Sequence, residues 1–375
     1  MFGIDSAVIV AVAETIRRSS FALVILCSAT AYADIKEDPC ACSPAKPGFF
    51  RRGNLTGDWN GLRESWKDDG IVPQLVYAGE VFAASGLAHD VRAAGLLAAT
   101  LDLELDKLVH EGLGQVHISA FAIHGHGLTA ELDDVYGVSG NVAAQDVRLF
   151  EAWIEQPLSK VTVRAGLLSV DQEFILAKHS TALLNATFGI ISQLSYNIVG
   201  PVYPVATPGA SARFEGEGIT ARLAIYDGTQ TNDHGIPHAL GPDSLVIGEV
   251  ELFDLVKLGA WHHSTKGNGY YGILDHQLER YVAGFLRVGV SPNEFVSSYI
   301  DTGLRIGPGP FRKHDFIGLG VAYASTADMT FGEQTVFEAT YQAQFGWLTI
   351  QPDLQLLEQH TRTVGIVATR ATVVF

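Results

Sequence analysis

The sequence has few of the residues that mark several common protein classes. Charged residues make up 18% of its 375 residues, and only 3 residues are cysteine. Low charge combined with a hydrophobic fraction of 47% argues against a disordered chain or a coiled coil, and three cysteines are too few for a disulfide scaffold. Acidic residues outnumber basic ones by 41 to 25, the formal net charge is -16, and basic runs are no longer than pairs. These features argue against nucleic acid as a partner.

Long apolar runs are also missing. No stretch reaches the ~18 consecutive apolar residues that a membrane-spanning helix needs, although the mean hydropathy is positive. The apolar residues must therefore be distributed among polar ones along the whole chain.

The N-terminal region is typical of a bacterial secretory signal. Arg17-Arg18 precede an apolar run at residues 21–28, and Ala31-Tyr-Ala33 fits the small-x-small pattern of a cleavage site. We therefore expect residues 1–33 to be a signal peptide. A lipid anchor at Cys27 is disfavoured because no small residue precedes it. Residues 34–73 are expected to form an N-terminal segment, in which Cys40 and Cys42 lie too close together to form an unstrained disulfide.

The rest of the chain, residues 74–375, alternates between apolar and polar residues with a period of two. In residues 101–106, leucine alternates with aspartate or glutamate, which predicts a strand with one apolar and one polar face. Further strands are expected at residues 115–123, 147–156, 161–167, 210–214, 220–226, 245–253, 257–262, 281–290, 295–306, 316–323, 335–345, 347–351 and 363–375. So many strands with so few helical patterns predict an all-β fold.

Two all-β architectures fit this pattern. A soluble sandwich or propeller buries its apolar face in a core, whereas a transmembrane antiparallel barrel turns that face toward lipid. The last segment favours the barrel: if Phe375 and Val373 face lipid, Arg370 and Thr372 face the lumen, which avoids the cost of a basic side chain in lipid. About 300 residues at about 10 per strand, plus turns and loops, support roughly 14–18 strands, and we predict 16 with a water-filled lumen.

Three blocks of sequence are similar to a known family. They are LTGDWNGLR at residues 55–63, FEAWIEQ followed by VTVRAG at residues 150–166, and FEATY followed by IQPDLQ at residues 337–355. In this order they resemble the carbohydrate-selective porin (OprB) family over about residues 49–375. Two positions depart from the pattern: Asn60 stands where Gly is expected, and Leu167 where a polar or basic residue is expected. The second departure predicts a constriction that is less basic than is usual for sugar porins.

The resemblance implies a barrel in the bacterial outer membrane through which mono- or disaccharides such as glucose diffuse passively, without catalysis. Its partners would be small sugars and outer-membrane lipid, and a homo-oligomer is left open. The alternatives are a general or cation-preferring porin, since the acidic charge favours cations, and a periplasmic all-β sugar-binding protein. We expect no cofactor, no metal and no catalytic residue. Adjacent histidines such as His262-His263 point to opposite faces of a strand, and no Gly-x-Ser-x-Gly or phosphate-binding motif is present.

The lumen-facing residues follow from the rule that charged side chains of a barrel point inward. In residues 150–156, alternation puts Glu151, Trp153 and Glu155 on one face and Phe150 and Ile154 on the other. The candidates for pore lining and sugar contact are Glu151, Trp153, Glu155, Arg164, Arg213, Arg222, Asp301, Arg305, Glu338 and Arg370. For each candidate the alternative is a structural role, because inward charged side chains of a barrel also form ion pairs with one another. The tryptophan of the first block, Trp59, is expected to be a packing anchor.

Overall fold

The structure is a computed structural model and describes residues 48–85, 91–198, 200–229, 241–309, 312–328 and 331–375. The expected signal peptide and Cys27, Cys40 and Cys42 lie outside the described residues. Among the residues that are described, no helix is both long and apolar enough to cross a membrane.

Sixteen antiparallel strands form a closed barrel in which each strand pairs with its neighbours in sequence, and the last strand pairs with the first. The strands are β1 (Ile71–Ala84), β2 (Val91–Glu104), β3 (Gln115–Gly125), β4 (Asp146–Leu158), β5 (Val161–Leu168), β6 (Thr207–Gly216), β7 (Ile219–Asp227), β8 (Ser244–Leu252), β9 (Val256–His263), β10 (Gly267–Glu279), β11 (Val282–Val290), β12 (Val296–Ile306), β13 (Phe316–Thr326), β14 (Glu333–Phe345), β15 (Leu348–Gln359) and β16 (Arg362–Val374). The predicted all-β barrel of 16 strands is confirmed.

The helices within the described ranges are short. The α-helices are α1 (Leu62–Asp68), α2 (Leu105–Leu108), α3 (Thr129–Leu132), α4 (Ala186–Gly189) and α5 (Ser192–Ser195). Single 3-10 turns occupy Phe49–Arg51, Trp59–Gly61, Val170–Gln172 and Ser180–Ala182. All of them lie in the N-terminal segment or in connections between strands.

Several strand boundaries differ from the sequence prediction. Strand β10 was not predicted, because the pair Tyr270-Tyr271 and the surrounding glycines hide its alternation. Strand β2 ends at Glu104 and helix α2 begins at Leu105, so the predicted end of the strand at residue 106 is wrong. Strand β1 begins at Ile71 and β15 extends to Gln359, beyond the predicted residue 351.

Side chains alternate along the strands between the outside and the inside of the barrel. On β15, Gln351, Asp353 and Gln355 are buried, whereas Leu354 and Leu356 are exposed. The outward side chains form an apolar belt around the barrel, which includes Val81, Ile154, Leu223, Ile225, Val250, Leu258, Leu274, Val288, Ile300, Leu304, Leu319, Phe337, Leu354 and Val367. Outward apolar and inward polar faces are the pattern of a barrel surrounded by lipid.

A β-bulge changes the side on which Phe150 lies. The pairing of β3 with β4 shifts register between Ile118 and Ala120, so that one additional residue is accommodated on β4. As a result Phe150 is 1% exposed, and its ring stacks on that of the inward residue Phe121 with 4.6 Å between ring centroids. The prediction that Phe150 and Glu151 lie on opposite faces is therefore wrong: both face the interior.

Two long connections enter the barrel from one side. We call the end where β1 begins and β16 ends the terminal end, and the opposite one the loop end. At the loop end, residues 126–145 (the mouth loop) and residues 169–206 (the inner loop) place apolar side chains such as Leu132, Phe174 and Phe188 inside the barrel. These side chains form one buried cluster with inward wall residues, including Tyr226 and Trp261. The interior near the loop end is thus packed, contrary to the expectation of a lumen filled with water throughout.

The N-terminal segment packs at the terminal end. The Leu55 N–H donates to the Val374 carbonyl oxygen (2.7 Å), and an Arg63 nitrogen donates to the Phe375 oxygen (3.1 Å). The Arg63 guanidinium lies 4.3 Å from the centre of the Trp59 ring, which also contacts Trp66 edge-on. These contacts agree with the interpretation of Trp59 as a packing anchor.

Candidate functional site in the barrel interior

Toward the terminal end, the inner wall carries paired acidic and basic side chains on the neighbouring strands β4 to β9. Arg164 on β5 pairs with Glu155 on β4 at 2.8 Å, and Arg222 on β7 pairs with Glu249 and Glu251 on β8 at 3.0 and 2.9 Å. We call the whole set the charged ladder: Glu155, Arg164, Arg213, Arg222, Glu249, Glu251 and Lys257. Inward residues of adjacent strands lie side by side on one face of a sheet, so the barrel brings these groups into contact.

Within the charged ladder, Arg213 and Arg222 are direct cross-strand partners. Like charges in this position repel each other. Carboxylates beside each guanidinium offset the repulsion: Arg213 pairs with Glu215 at 3.1 Å, and Arg222 with the two glutamates of β8. Both arginines and Glu251 remain partly exposed, so this part of the ladder is accessible from the lumen.

Trp153 does not offer a free aromatic face. The His117 ring stacks on it with 4.9 Å between ring centroids, and the Arg164 guanidinium lies 3.9 Å from its centre. These neighbours come from β3 and β5, which flank β4, so they cover opposite sides of the indole. The ring is 7% exposed, and its Nε1 donates to Glu151 at 3.4 Å.

Several buried acidic side chains accept hydrogen bonds from the backbone of the inner loop. Glu151 accepts from the Ser169 N–H at 2.9 Å, and Glu249 from the Ile175 N–H at 3.0 Å. On the other side of the barrel, Glu338 on β14 accepts from the N–H groups of Leu184 and Asn185. These hydrogen bonds are direct, buried and assisted by the charge of the carboxylate, so they stabilise the position of the inner loop strongly.

Donor side chains of the wall bind the carbonyl oxygens of the same loop. Lys257 donates to the Leu176 oxygen at 2.8 Å, Gln351 to the Ala182 oxygen at 3.0 Å, and Arg287 to the Thr187 oxygen at 2.8 Å. Arg287 is itself paired with Asp301, and both are fully buried. Sequence alternation had indicated that Asp301 faces inward, but it could not indicate that the wall residues of β4, β8, β9, β11, β14 and β15 hold one loop between them.

Arg370 and Glu80 hold the mouth loop. The two side chains form an ion pair across the junction of β16 and β1. Ser139 of the mouth loop donates to Glu80 at 2.9 Å and accepts from Arg370 at 3.0 Å. The inward prediction for Arg370 therefore agrees with the structure, and its contacts are with a loop.

Arg305 has different surroundings. It lies near the end of β12 on the same face as the buried residues Tyr299 and Asp301, and it is half-buried. Its guanidinium carbon lies 4.4 Å from the centre of the Phe316 ring on β13. Among the described residues, no carboxylate lies at ion-pair distance from it.

A pocket opens at the loop end. Its volume is about 1030 Å³, and its walls include the start of β2, the end of β3, the mouth loop and Ala186 of the inner loop. Arg92 on β2 and Glu131 on the mouth loop form an ion pair at its edge.

The mouth loop also contains a buried acidic side chain, Asp134. Burial raises the pKa of its carboxyl group to about 7, and the neighbouring Asp133 adds to this effect, whereas a backbone hydrogen bond from Gly137 and the charge of Arg362 oppose it. One of its carboxyl oxygens, Oδ1, has no hydrogen-bond partner among the described residues. Tyr196 of the inner loop donates to the backbone oxygen of Asp134 at 2.6 Å, so the two loops are in direct contact there.

No group of three or more His, Cys, Asp or Glu side chains is placed to hold a metal ion in the part of the chain that the structure describes. His262 is exposed and His263 is buried, as expected for adjacent residues of a strand.

A closed 16-stranded antiparallel barrel with an apolar outer belt and a charged inner wall has the architecture of an outer-membrane porin. The model of the family described as "Carbohydrate-selective porin, OprB family" matches residues 88–274, and the chain belongs to this family. The family and the barrel indicate the bacterial outer membrane as its location. No curated protein matched the chain in a sequence comparison.

Solved structures share the fold at low sequence identity. The high-pH structure of Pseudomonas putida OprB is 16% identical with a TM-score of 0.76, and the match covers 88% of this chain and all of that one. The low-pH structure of the same protein is also 16% identical, with a TM-score of 0.61 and coverage of 87% and 99%. A mutant porin of Rh. blastica is 11% identical with a TM-score of 0.54, covering 81% of this chain and 100% of that one.

Proposed function

We propose that this protein lets mono- or disaccharides such as glucose diffuse passively across the outer membrane through the barrel interior. The observation that carries the proposal is the charged ladder. Its acids and bases are paired, so the ladder presents hydrogen-bond donors and acceptors side by side while much of its charge is locally compensated. A sugar hydroxyl both donates and accepts hydrogen bonds, so neighbouring donors and acceptors bind it better than they bind a simple ion.

The sequence candidates then divide into two groups. We assign contact with the solute to the partly exposed residues Arg213, Arg222 and Arg305, and to Glu251, which the sequence reasoning did not include. The buried candidates hold loops or pair within the wall: Glu151, Trp153, Glu155, Arg164, Asp301, Glu338 and Arg370. The family and the fold point to a channel, and we propose that the protein catalyses no reaction.

The apolar outer belt supports a position of the barrel within a membrane. We infer that lipid surrounds the apolar outward side chains, because their exposure to water would be unfavourable over such a continuous surface. The same belt argues against a periplasmic sugar-binding protein, since a soluble barrel would present polar residues outward.

A liposome-swelling assay tests the proposal. The refolded protein is reconstituted and challenged with glucose, a disaccharide and an amino acid matched in size to glucose. We expect faster swelling with the sugars than with the amino acid. Equal rates would show a general pore, and the absence of swelling with every solute would overturn the proposal.

A cation-preferring general porin is the second candidate, because the net charge of -16 would concentrate cations near the lumen. Under a KCl gradient, this candidate requires a reversal potential of the sign for cations together with equal swelling rates for sugar and amino acid.

A further inference from the structure

Arg305 is unlike the other inward-facing arginines of the described strands. Arg362, at the start of β16, donates to backbone oxygens of the mouth loop. Each of the others is paired with a carboxylate: Arg92 with Glu131, Arg148 with Asp146, Arg164 with Glu155, Arg213 with Glu215, Arg222 with Glu249, Arg287 with Asp301, and Arg370 with Glu80. Within the described ranges, Arg305 has neither an ion-pair partner nor a side-chain hydrogen bond, and its contact is with the Phe316 ring. A half-buried cation that lacks a counter-ion has lost part of its hydration without compensation.

The cross-strand partners of Arg305 are small, uncharged and buried. They are Ala283 on β11 and Gly318 on β13. The inner loop lies directly next to this position: a Cβ placed on Gly318 would be 3.1 Å from Leu183 and 3.3 Å from the Ala182 oxygen. Arg305 therefore lies at the edge of the inner loop, and its own half-buried side chain is the part of this region that a solute in the lumen can reach.

The Phe316 ring orients the guanidinium. A cation over an aromatic face at 4.4 Å is attracted to the ring, and the contact restricts the rotamers of a long side chain. The face away from the ring and the N–H groups around its edge stay available. A guanidinium presents these donors as a fork that matches the two oxygens of a carboxylate.

We propose that Arg305 binds the carboxylate of sugar acids, so that the barrel conducts these anions in addition to neutral sugars. This inference rests on the proposed function, and it names a solute class that the overall acidic charge would disfavour. A sugar acid supplies the missing counter-ion to Arg305, and its hydroxyl groups remain free to exchange hydrogen bonds with the wall.

The test measures how added solutes block the ion current through single channels in planar bilayers. The probes are gluconate and glucose, which share a six-carbon polyhydroxylated skeleton and differ in charge. The proteins are the wild type, Arg305→Gln, Arg305→Lys and Arg312→Gln. Arg312 is the matched control because it also lies over an aromatic ring, that of Phe345 at 3.7 Å, but is exposed in a connection between strands.

We expect Arg305→Gln to raise the dissociation constant for gluconate about tenfold, the size of one lost charge-assisted interaction. Arg305→Lys keeps the charge but loses the fork, so its dissociation constant should fall between those of the wild type and Arg305→Gln. The control should bind both gluconate and glucose as the wild type does. Arg305→Gln should weaken glucose binding less than gluconate binding, because a neutral sugar loses a hydrogen-bond donor but no ion pair. Heat-modifiable migration in detergent verifies that each variant is folded.

Equal gluconate binding by the wild type and Arg305→Gln would overturn the inference, as would an equal loss in the Arg312 control, which would indicate a general effect of surface charge. If glucose passes normally in either case, the proposed sugar pathway stands and only the role of Arg305 fails. If the wild type conducts neither glucose nor gluconate, the proposed function fails and this inference fails with it.

Discussion

Arg213 and Arg222 face each other directly across β6 and β7, and both point into the barrel. Two guanidinium groups in this position are stable because Glu215 and the glutamates of β8 stand beside them. Removing one of these two positive charges changes the electrostatic field of the lumen.

Arg213→Gln should therefore shift the ion preference of the channel toward cations while leaving the fold intact, because Glu215 loses its partner and is already exposed to water. We expect a reversal potential more cation-selective than that of the wild type under the same KCl gradient. The conservative variant Arg213→Lys should restore the wild-type value. An unchanged potential in Arg213→Gln would contradict the placement of this residue in the conducting lumen.

Trp153→Ala should lower stability strongly and leave sugar discrimination almost unchanged. The indole is enclosed between His117 and Arg164, so its removal leaves a cavity, with an expected cost of about 3–5 kcal/mol. The measurement is urea-induced unfolding of the protein in detergent, combined with swelling rates for glucose and a size-matched amino acid. A stable variant that has lost its preference for sugar would show instead that the ring contacts the solute.

Glu249→Gln should loosen the inner loop. Glu249 pairs with Arg222 and accepts from the Ile175 N–H and from Tyr271, so neutralising it weakens three interactions at one buried point. We expect more frequent fluctuations of the single-channel current than in the wild type. Glu215→Gln is the control, because Glu215 is 57% exposed and forms no hydrogen bond or ion pair with the described residues of the inner loop. Equally quiet currents in both variants would argue against Glu249 as a loop anchor.

Asp134 should make the stability of the protein depend on pH. Its pKa is about 7 in the folded chain and ordinary in the unfolded chain, so between about pH 4 and pH 7 the folded state holds a proton that the unfolded state has lost. Stability therefore falls as pH rises through this window and levels off above about pH 7, with an expected amplitude of roughly 4 kcal/mol from this group at most.

Asp134→Asn cannot ionise, and it should remove most of this decline. Thermal unfolding midpoints at pH 5 and pH 8 give the measurement. Asp133→Asn is the control and should keep most of the decline, because burial is the main cause of the raised pKa of Asp134 and the charge of Asp133 adds less. If the wild type and Asp134→Asn lose stability equally between these two pH values, the group responsible lies elsewhere.

Alternation in the sequence located many inward residues correctly, and its errors have identifiable causes. Arg305 and Glu338 were assigned to the interior because a strand reverses its side-chain direction at every residue. Phe150 was assigned to the wrong side because a bulge inserts one residue into that period, and a bulge depends on the neighbouring strand. Strand β10 was missed because Tyr270 and Tyr271 are the same residue type, although one points outward and the other inward. Their side chains alternate in direction, but the sequence shows no alternation of apolar and polar residues there.

The sequence by itself determined the all-β class and the division into an apolar outer and a charged inner face, since these follow from a local period of two. The number of strands was predicted from the length of the chain. Only the tertiary structure decided which inward charges are paired, which of them hold a loop, and where a cation is left without a partner. Glu80 and Arg370 illustrate the reason: they lie 290 residues apart and meet because the barrel closes between β1 and β16. Contacts of this kind depend on the closure of the barrel and on loops that fold into its interior, and a local sequence pattern predicts neither.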